Sequence, residues 1–241
     1  MNVVGIIPAR YSSTRLPGKP LLLIHGKPMI QRVYEQTLKS KLINKVIVAT
    51  DDKRIFDCVK NFGGEVMMTS KKHQSGTDRL CEAAKKINCG IAVNIQGDEP
   101  FIDPKNIDIA IEPLLKDKKL NVSTLAIRIK YESDLTDKNK VKVVLDKSNF
   151  ALYFSRSRIP FEMDNTHAKV WSGRNIYYKH IGLYVYRKDF LMNFSKMKRS
   201  YLEGMEKLEQ LRILENGEKI KVVITKKDSV SIDTAEDIER V

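Results

Sequence analysis

The chain has 241 residues, of which 42 % are hydrophobic and 30 % charged, the balance of an ordinary globular protein of one large α/β domain or two small ones. No apolar run approaches the ~20 residues that a membrane-spanning helix needs. The net charge of +13 would suit small polyanionic substrates; nucleic acid is the weaker reading, because the lysines are scattered and form no continuous block.

Val3–Pro8 is a continuous apolar run, the mark of a strand buried on both faces, and the opening MNVVGIIPAR reads as that strand, not as a secretion signal. Pro28–Lys39 carries Met29, Ile30, Val33, Tyr34 and Leu38 at helical spacing. Lys45–Thr50 is a second buried strand and ends at Asp51-Asp52. A helix over Asp52–Phe62 follows, stopped by Gly63-Gly64. Glu65–Met68 is a short strand, Thr77–Ile87 a helix, and Ile91–Gln96 a strand cut off by Gly97-Asp98-Glu99-Pro100. Strands alternating with helices imply βαβ units, a mostly parallel sheet, and a ligand site beyond the C-terminal strand ends. The loops Ala9–Lys19, Asp51-Asp52 and Gly97–Pro100 fall there.

The second half is more mixed. Val122–Ile129, Val141–Leu145, Ala151–Ser155, His180–Tyr186 and Ile220–Thr225 read as strands. Leu202–Leu214 reads as one amphipathic helix and Thr234–Arg240 as a last one; Glu162–Asn175 is patternless and reads as a mobile loop. The chain is expected to be a single domain over 1–241, with an antiparallel insertion around 120–185.

Several stretches could carry chemistry. In GIIPARYSSTRLPGK, Arg10, Arg15 and Lys19 surround Ser12, Ser13 and Thr14, and Gly18 lets backbone approach closely. Cations beside exposed amides make a phosphate cradle, although the stretch matches neither GxxxxGK[ST] nor GxGxxG. Asp98 ends an apolar strand beside Glu99, where a carboxylate suits Mg²⁺ or simply a polar turn. Asp233 precedes Thr234-Ala235-Glu236-Asp237, a capping box, so it either enters a helix or supplies a second metal carboxylate. Gln74, Ser75, Gly76 and Thr77 open a helix and could face a nucleobase or only cap it. His180 and Tyr184 share a strand face, and Glu209 and Gln210 sit among leucines; with Arg156 and Arg158 they suggest a pocket for a polyol acid. His25, His73 and His167 show no triad or metal spacing, and Trp171 is lone. Cys58, Cys81 and Cys89 lack CxxC spacing, which argues against zinc or a disulfide framework and for a reducing cytosol.

Taken in order, IIPARYSSTRLPGKPL, VATDD, HQSGTDRL, NIQGDEP, ALYFSR, HIGLYVYR, LEQLR and IDTAEDIERV resemble the 3-deoxy-manno-octulosonate cytidylyltransferases (CMP-Kdo synthetases), from residue 3 to residue 241. The resemblance implies a nucleotidyltransferase-type, Rossmann-like three-layer α/β fold. It further implies a mixed, mostly parallel sheet and a small antiparallel element that makes a homodimer contact. It places Ala9, Arg10, Ser13, Arg15, Lys19, Gln74, Ser75, Gly76 and Arg79 around CTP. It gives Arg10, Lys19, Asp98 and Asp233 catalytic roles, with Asp98 and Asp233 holding Mg²⁺. Gln96, Arg156, His180, Tyr184, Glu209 and Gln210 would line the sugar-acid pocket. The implied reaction is CTP plus 3-deoxy-D-manno-octulosonate giving CMP-Kdo and pyrophosphate, in the cytoplasm, for lipopolysaccharide or capsule. An 8-amino analogue or a nine-carbon sialic-type acid is the close rival substrate. A diphospho-sugar glycosyltransferase fits less well, since the strand ends in Gly97-Asp98-Glu99 and lacks DxD. The sequence departs from the family in KKDSVSID, where a glycine-rich approach to Asp233 is expected, and beyond Arg156.

Overall fold

The computed structural model describes residues 1–12, 16–73, 75–163, 177–229, 231–232, 234 and 237–238. The first half runs β1 (Val3–Ala9), a 3₁₀ turn (Lys19–Leu21), the hairpin β2 (Leu23–Ile24) and β3 (Lys27–Pro28), and α1 (Met29–Leu38). It continues with β4 (Lys45–Thr50), α2 (Lys53–Asn61), β5 (Val66–Met68), α3 (Gly76–Lys86) and β6 (Ile91–Asn94). Then come α4 (Pro104–Lys116), β7 (Val122–Arg128), α5 (Glu132–Thr136), β8 (Lys142–Leu145), β9 (Ala151–Ser155) and β10 (Tyr178–Arg187). The last described elements are α6 (Lys188–Phe194), α7 (Tyr201–Glu206), α8 (Gln210–Glu215) and β11 (Ile220–Thr225).

One mixed sheet follows the path β11-β7-β10-β6-β1-β4-β5. All neighbours on this path are parallel except β10, which runs against β6 and β7. The hairpin β8–β9 joins the start of β10 and leaves the main path. Of the segment 120–185, β7 and β10 therefore lie inside the main sheet. Helices cover both faces, which is why β1, β4 and β6 read as unbroken apolar runs. On one face Ile6, Ala92, Tyr184 and Tyr186 pack with Leu80 and Ala84 of α3, Phe194 of α6 and Leu211 of α8. On the other, Ile7, Val48 and Val93 pack with Ile30 of α1, Val59 of α2 and Ile107 and Leu114 of α4.

Helix entries follow the sequence closely. Asp52 accepts from the Arg54 amide at the start of α2, and Ser75 and Asp78 cap α3 reciprocally. Thr234 and Asp237 exchange side-chain-to-amide bonds of 3.0 and 3.3 Å, so the anticipated capping box forms. Most of the helix expected over Thr234–Arg240 and of the loop expected over Glu162–Asn175 lies outside the described residues.

Two expectations need correction. Leu202–Leu214 is two short helices, broken where Lys207 adopts the left-handed conformation (φ 56°). The cause is tertiary. The Glu206 carboxylate accepts from Ser155 Oγ and the Arg156 amide, and Arg156 Nε donates to the Glu206 carbonyl, so that carbonyl is taken out of the helix. Secondly, Ile91–Gln96 ends as a strand at Asn94, although the Ile95 amide still donates to Ile6 O at 3.0 Å. Helix α4 was not anticipated, despite the stripe Ile107, Ala110, Ile111 and Leu114; it tolerates Pro113 because that stripe is buried.

Candidate active site

A cleft of about 980 Å³ opens beyond the C-terminal ends of β1 and β6, where the βαβ argument put it. Ala9, Arg10, Lys19, Ser75, Gly76, Arg79, Gln96, Asp98, His180, Tyr184, Glu209 and Gln210 all line it. Ser13, Arg15, Gln74 and Asp233 lie outside the described residues.

At one end, the loop after β1 meets the loop after β6. Lys19, nearly buried, donates to Asp98 Oδ2 at 2.8 Å. The loop is held from inside: the Gly18 amide donates to Tyr11 O, and Gly18 sits at φ 70° with the Tyr11 ring about 3.1 Å from where a Cβ would project. Arg54 stacks on this tyrosine, 3.3 Å from the ring centre. Gly97 is equally constrained, since a Cβ there would come within 3.0 Å of Pro8 O. The Ile232 amide donates to Asp98 O at 2.9 Å, so residue 232 is tied to the loop after β6.

The acids after β4 are structural. Asp51 takes the guanidinium of buried Arg79 at 2.8 Å, and Thr69 takes a second nitrogen of it. Arg54 pairs with Asp52 and holds its carboxyl below the usual range. Arg79 thus reaches the cleft wall already engaged by protein partners.

The other end is built mainly from β10 and α8. Thr124 Oγ1 lies 3.0 Å from His180 Nε2, and the His180 ring meets Phe154 edge-on and Tyr184 at 5.3 Å. Burial pushes the imidazole down to about 3, which leaves a neutral ring at neutral pH. Between Ile181 and Tyr184 the β10–β7 register shifts, and the bulged Gly182 carbonyl accepts from Gln96 Nε2 at 2.9 Å. Glu209 accepts from Thr77 Oγ1 at 2.5 Å, linking α8 to the first turn of α3. Two buried polar atoms here have no partner among the described residues: Asn94 Oδ1 and the Tyr184 hydroxyl. Burial also raises Tyr184 well above the usual tyrosine range, so it remains a protonated donor.

Arg156 is the exception among the expected sugar-pocket residues. Its guanidinium donates to the carbonyls of Glu206, Lys138 and Lys207, and it is absent from the cleft lining. It fixes the turn that presents Glu209 and Gln210. The sequence reading also missed several lining groups. Lys179 and Asp228 pair at 2.6 Å across the rim. Glu99 is buried, accepts from Ser229 Oγ, and is pushed up to about 7 by burial first and by nearby carboxylates next. For Asn94, the signal was a polar residue ending an otherwise apolar strand; Thr77, expected at the opening of a helix, instead donates to Glu209. Among the described residues no group of three or more His, Cys, Asp or Glu side chains is arranged to hold a metal. Burial raises all three thiols, Cys81 to about 12, and none of them lines the cleft.

A strand-end cleft that joins a cationic loop to a carboxylate fits the class of α/β proteins that transfer nucleotidyl groups. A family model described as cytidylyltransferase matches residues 4–220, and the chain belongs to that family. It is 53 % identical to the 3-deoxy-manno-octulosonate cytidylyltransferase of Geobacter sulfurreducens, over 100 % of this chain and 98 % of that relative. To the protein of the same name from Thermodesulfovibrio yellowstonii it is 51 % identical, over 99 % and 96 %. A CMP:2-keto-3-deoxy-manno-octonic acid synthetase solved with CTP superposes with a TM-score of 0.93 at 42 % identity, covering 100 % of this chain and 96 % of that one. A 4-diphosphocytidyl-2C-methyl-D-erythritol synthase from Anaerococcus prevotii shares the fold alone, at TM-score 0.63 and 15 % identity.

Proposed function

We propose that this protein transfers the cytidylyl group of CTP to 3-deoxy-D-manno-octulosonate, releasing pyrophosphate. The observation that carries the reading is the Lys19–Asp98 bond, which joins the cationic loop to the end of β6 inside the cleft. The likeness to the named relatives supplies the substrates. The anomeric hydroxyl attacks the α-phosphorus, the bond to the β-phosphate oxygen breaks, pyrophosphate leaves, and the hydroxyl proton passes to solvent. Transfer of this kind asks for positioning and charge neutralisation. Arg10 and Lys19 offset the phosphate charge. The amide-rich start of α3 at Ser75–Gly76 faces the nucleotide. Gln96, Tyr184, Glu209 and Gln210 hold the sugar acid, and His180 contributes a neutral ring, not a cation.

Asp98 suits Mg²⁺: it lines the cleft with one oxygen on Lys19, and its other oxygen makes no hydrogen bond among the described residues, a hard donor beside the proposed phosphate site. Asp98 and Asp233 would hold the ion, which when bound neutralises phosphate charge and acidifies the attacking hydroxyl. Further parts of the reading are a homodimer, supported by exposed Leu152 on β9 and exposed Phe161, and a cytoplasmic setting, supported by three free cysteines. The product would feed lipopolysaccharide or capsule synthesis.

The test is pyrophosphate release from each nucleoside triphosphate with Mg²⁺ and, in turn, 3-deoxy-D-manno-octulosonate, its 8-amino analogue and a nine-carbon sialic-type acid. Turnover is expected with CTP and the first acid. Preference for another acid would replace the substrate, and no turnover with any would refute the reading.

A further inference from the structure

We propose that Asn94, together with Tyr184, binds the neutral polyol part of the acidic sugar, with Asn94 Oδ1 accepting a hydroxyl proton and the Tyr184 hydroxyl donating to a sugar oxygen. This rests on the proposed function and deepens it by assigning a contact that fixes which end of the sugar enters the cleft first.

Asn94 is the last residue of β6. It continues the row of Ala92, which packs into the core, yet it carries an amide where that row is apolar. Its partners in the ladders are Ile6 on β1 and Tyr184 on β10. Residues directly opposite on an antiparallel pair raise their side chains from one face, with Cβ atoms about 5 Å apart. Both residues line the cleft and are 6 % and 8 % exposed; Asn94 Oδ1 has no partner among the described residues, and the Tyr184 hydroxyl has the Thr124 side chain beside it but no hydrogen bond of good geometry there. Native proteins rarely leave such atoms unpaired, and an unpaired pair facing a ligand cleft points to the ligand as the missing partner.

The chemistry of the two atoms selects the partner. Asn94 Oδ1 only accepts and therefore needs a donor, while the Tyr184 hydroxyl, held protonated by burial, can donate or accept. A carboxylate would satisfy Tyr184 and leave Asn94 facing another acceptor. An ammonium would satisfy both atoms, since a phenol oxygen also accepts, but of the candidate acids only the 8-amino analogue carries one. An alcohol both accepts and donates. The polyol of the sugar acid therefore belongs over β6 and β10, and its carboxylate elsewhere in the cleft.

The experiment compares wild type with Asn94→Leu, which is nearly isosteric, and with Tyr184→Phe. Melting without ligand and KM for each substrate are measured for all three. A residue whose polar atom is unpaired in the free protein loses nothing when made apolar. Both variants are therefore expected to melt within ~2 °C of wild type, while KM for the sugar acid rises at least ~10-fold and KM for CTP stays within ~2-fold. A deoxy analogue of the acid lacking the contacted hydroxyl should bind wild type and Asn94→Leu equally. Melting lowered by ~5 °C or more with an unmoved sugar KM, failure of Asn94→Leu to fold, or a rise in KM for CTP alone would each overturn the proposal. Wild type without turnover refutes the proposed function; normal wild type with unmoved variants refutes only this contact.

Discussion

At one end of the cleft, Arg10, Lys19 and Asp98 come from two loops that leave adjacent parallel strands. At the other, His180, Tyr184, Glu209 and Gln210 come from an antiparallel strand with a register shift and from a helix interrupted at Lys207. The first end is shaped by backbone: Gly18 and Gly97 permit approaches that a Cβ would obstruct, and the Lys19–Asp98 ion pair closes it. The second is shaped by side chains that hold other side chains. Thr77 holds Glu209, the Gly182 carbonyl holds Gln96, and Arg156 holds the turn before Glu209. On the proposed assignment, the cleft offers fixed backbone and cations to the triphosphate and a shell of mutually hydrogen-bonded side chains to the polyol acid.

The largest effect that would break this contrast is at Asp98. Asp98→Asn should lower kcat at least ~10²-fold under saturating substrates, the loss for removing ~3 kcal/mol of transition-state stabilisation. Pyrophosphate release measures it, and near-normal turnover would remove Asp98 from the chemistry. Lys19→Ala should raise KM for CTP on the order of 10-fold with little change for the sugar acid, if the two ends act separately. Equal rises would merge them.

Arg156→Ala sharpens the comparison further. As a clamp on three carbonyls, Arg156 should cost roughly 2 kcal/mol of stability when removed, a fall of ~4–8 °C in melting temperature, accompanied by a rise in KM for the sugar acid. A change in KM with unchanged melting would make it a direct ligand. The smallest effect concerns His180. Its native pKa of about 3 lies below the unfolded value near 6.5, so between these the unfolded chain binds one more proton. Stability is full above pH ~6.5 and declines as pH falls through that window, by at most ~1.4 kcal/mol per unit from this group. Denaturant unfolding of His180→Gln at pH 7 and pH 5 should show a shallower loss than wild type.

The end built around Lys19 and Asp98 was legible because each of its pieces is a short local stretch. The apolar run of β1, the Pro-Gly corner and the acid ending β6 are local patterns with local causes, and the helix caps at Asp52 and Ser75 follow the same logic. The sugar end was less so. Spacing put His180 and Tyr184 on one face correctly, because the register shift between them preserves the parity of the strand. It also drew one helix over Leu202–Leu214, since the apolar stripe continues while the backbone does not. Arg156 looked like a ligand because a sequence shows that an arginine is near a strand end, not which carbonyls compete for it.

By itself, then, the order of residues determined the alternation of strands and helices, the strand edge where ligands gather and the charge placed there, since each follows from periodicity, capping and turn chemistry within a few residues. Tertiary structure alone decided that β10 enters the sheet antiparallel beside β6, that the helix after Tyr201 breaks at Lys207, and that Asn94 faces Tyr184. Those outcomes depend on partners far apart in the chain, where burial and competing hydrogen bonds outweigh local preference.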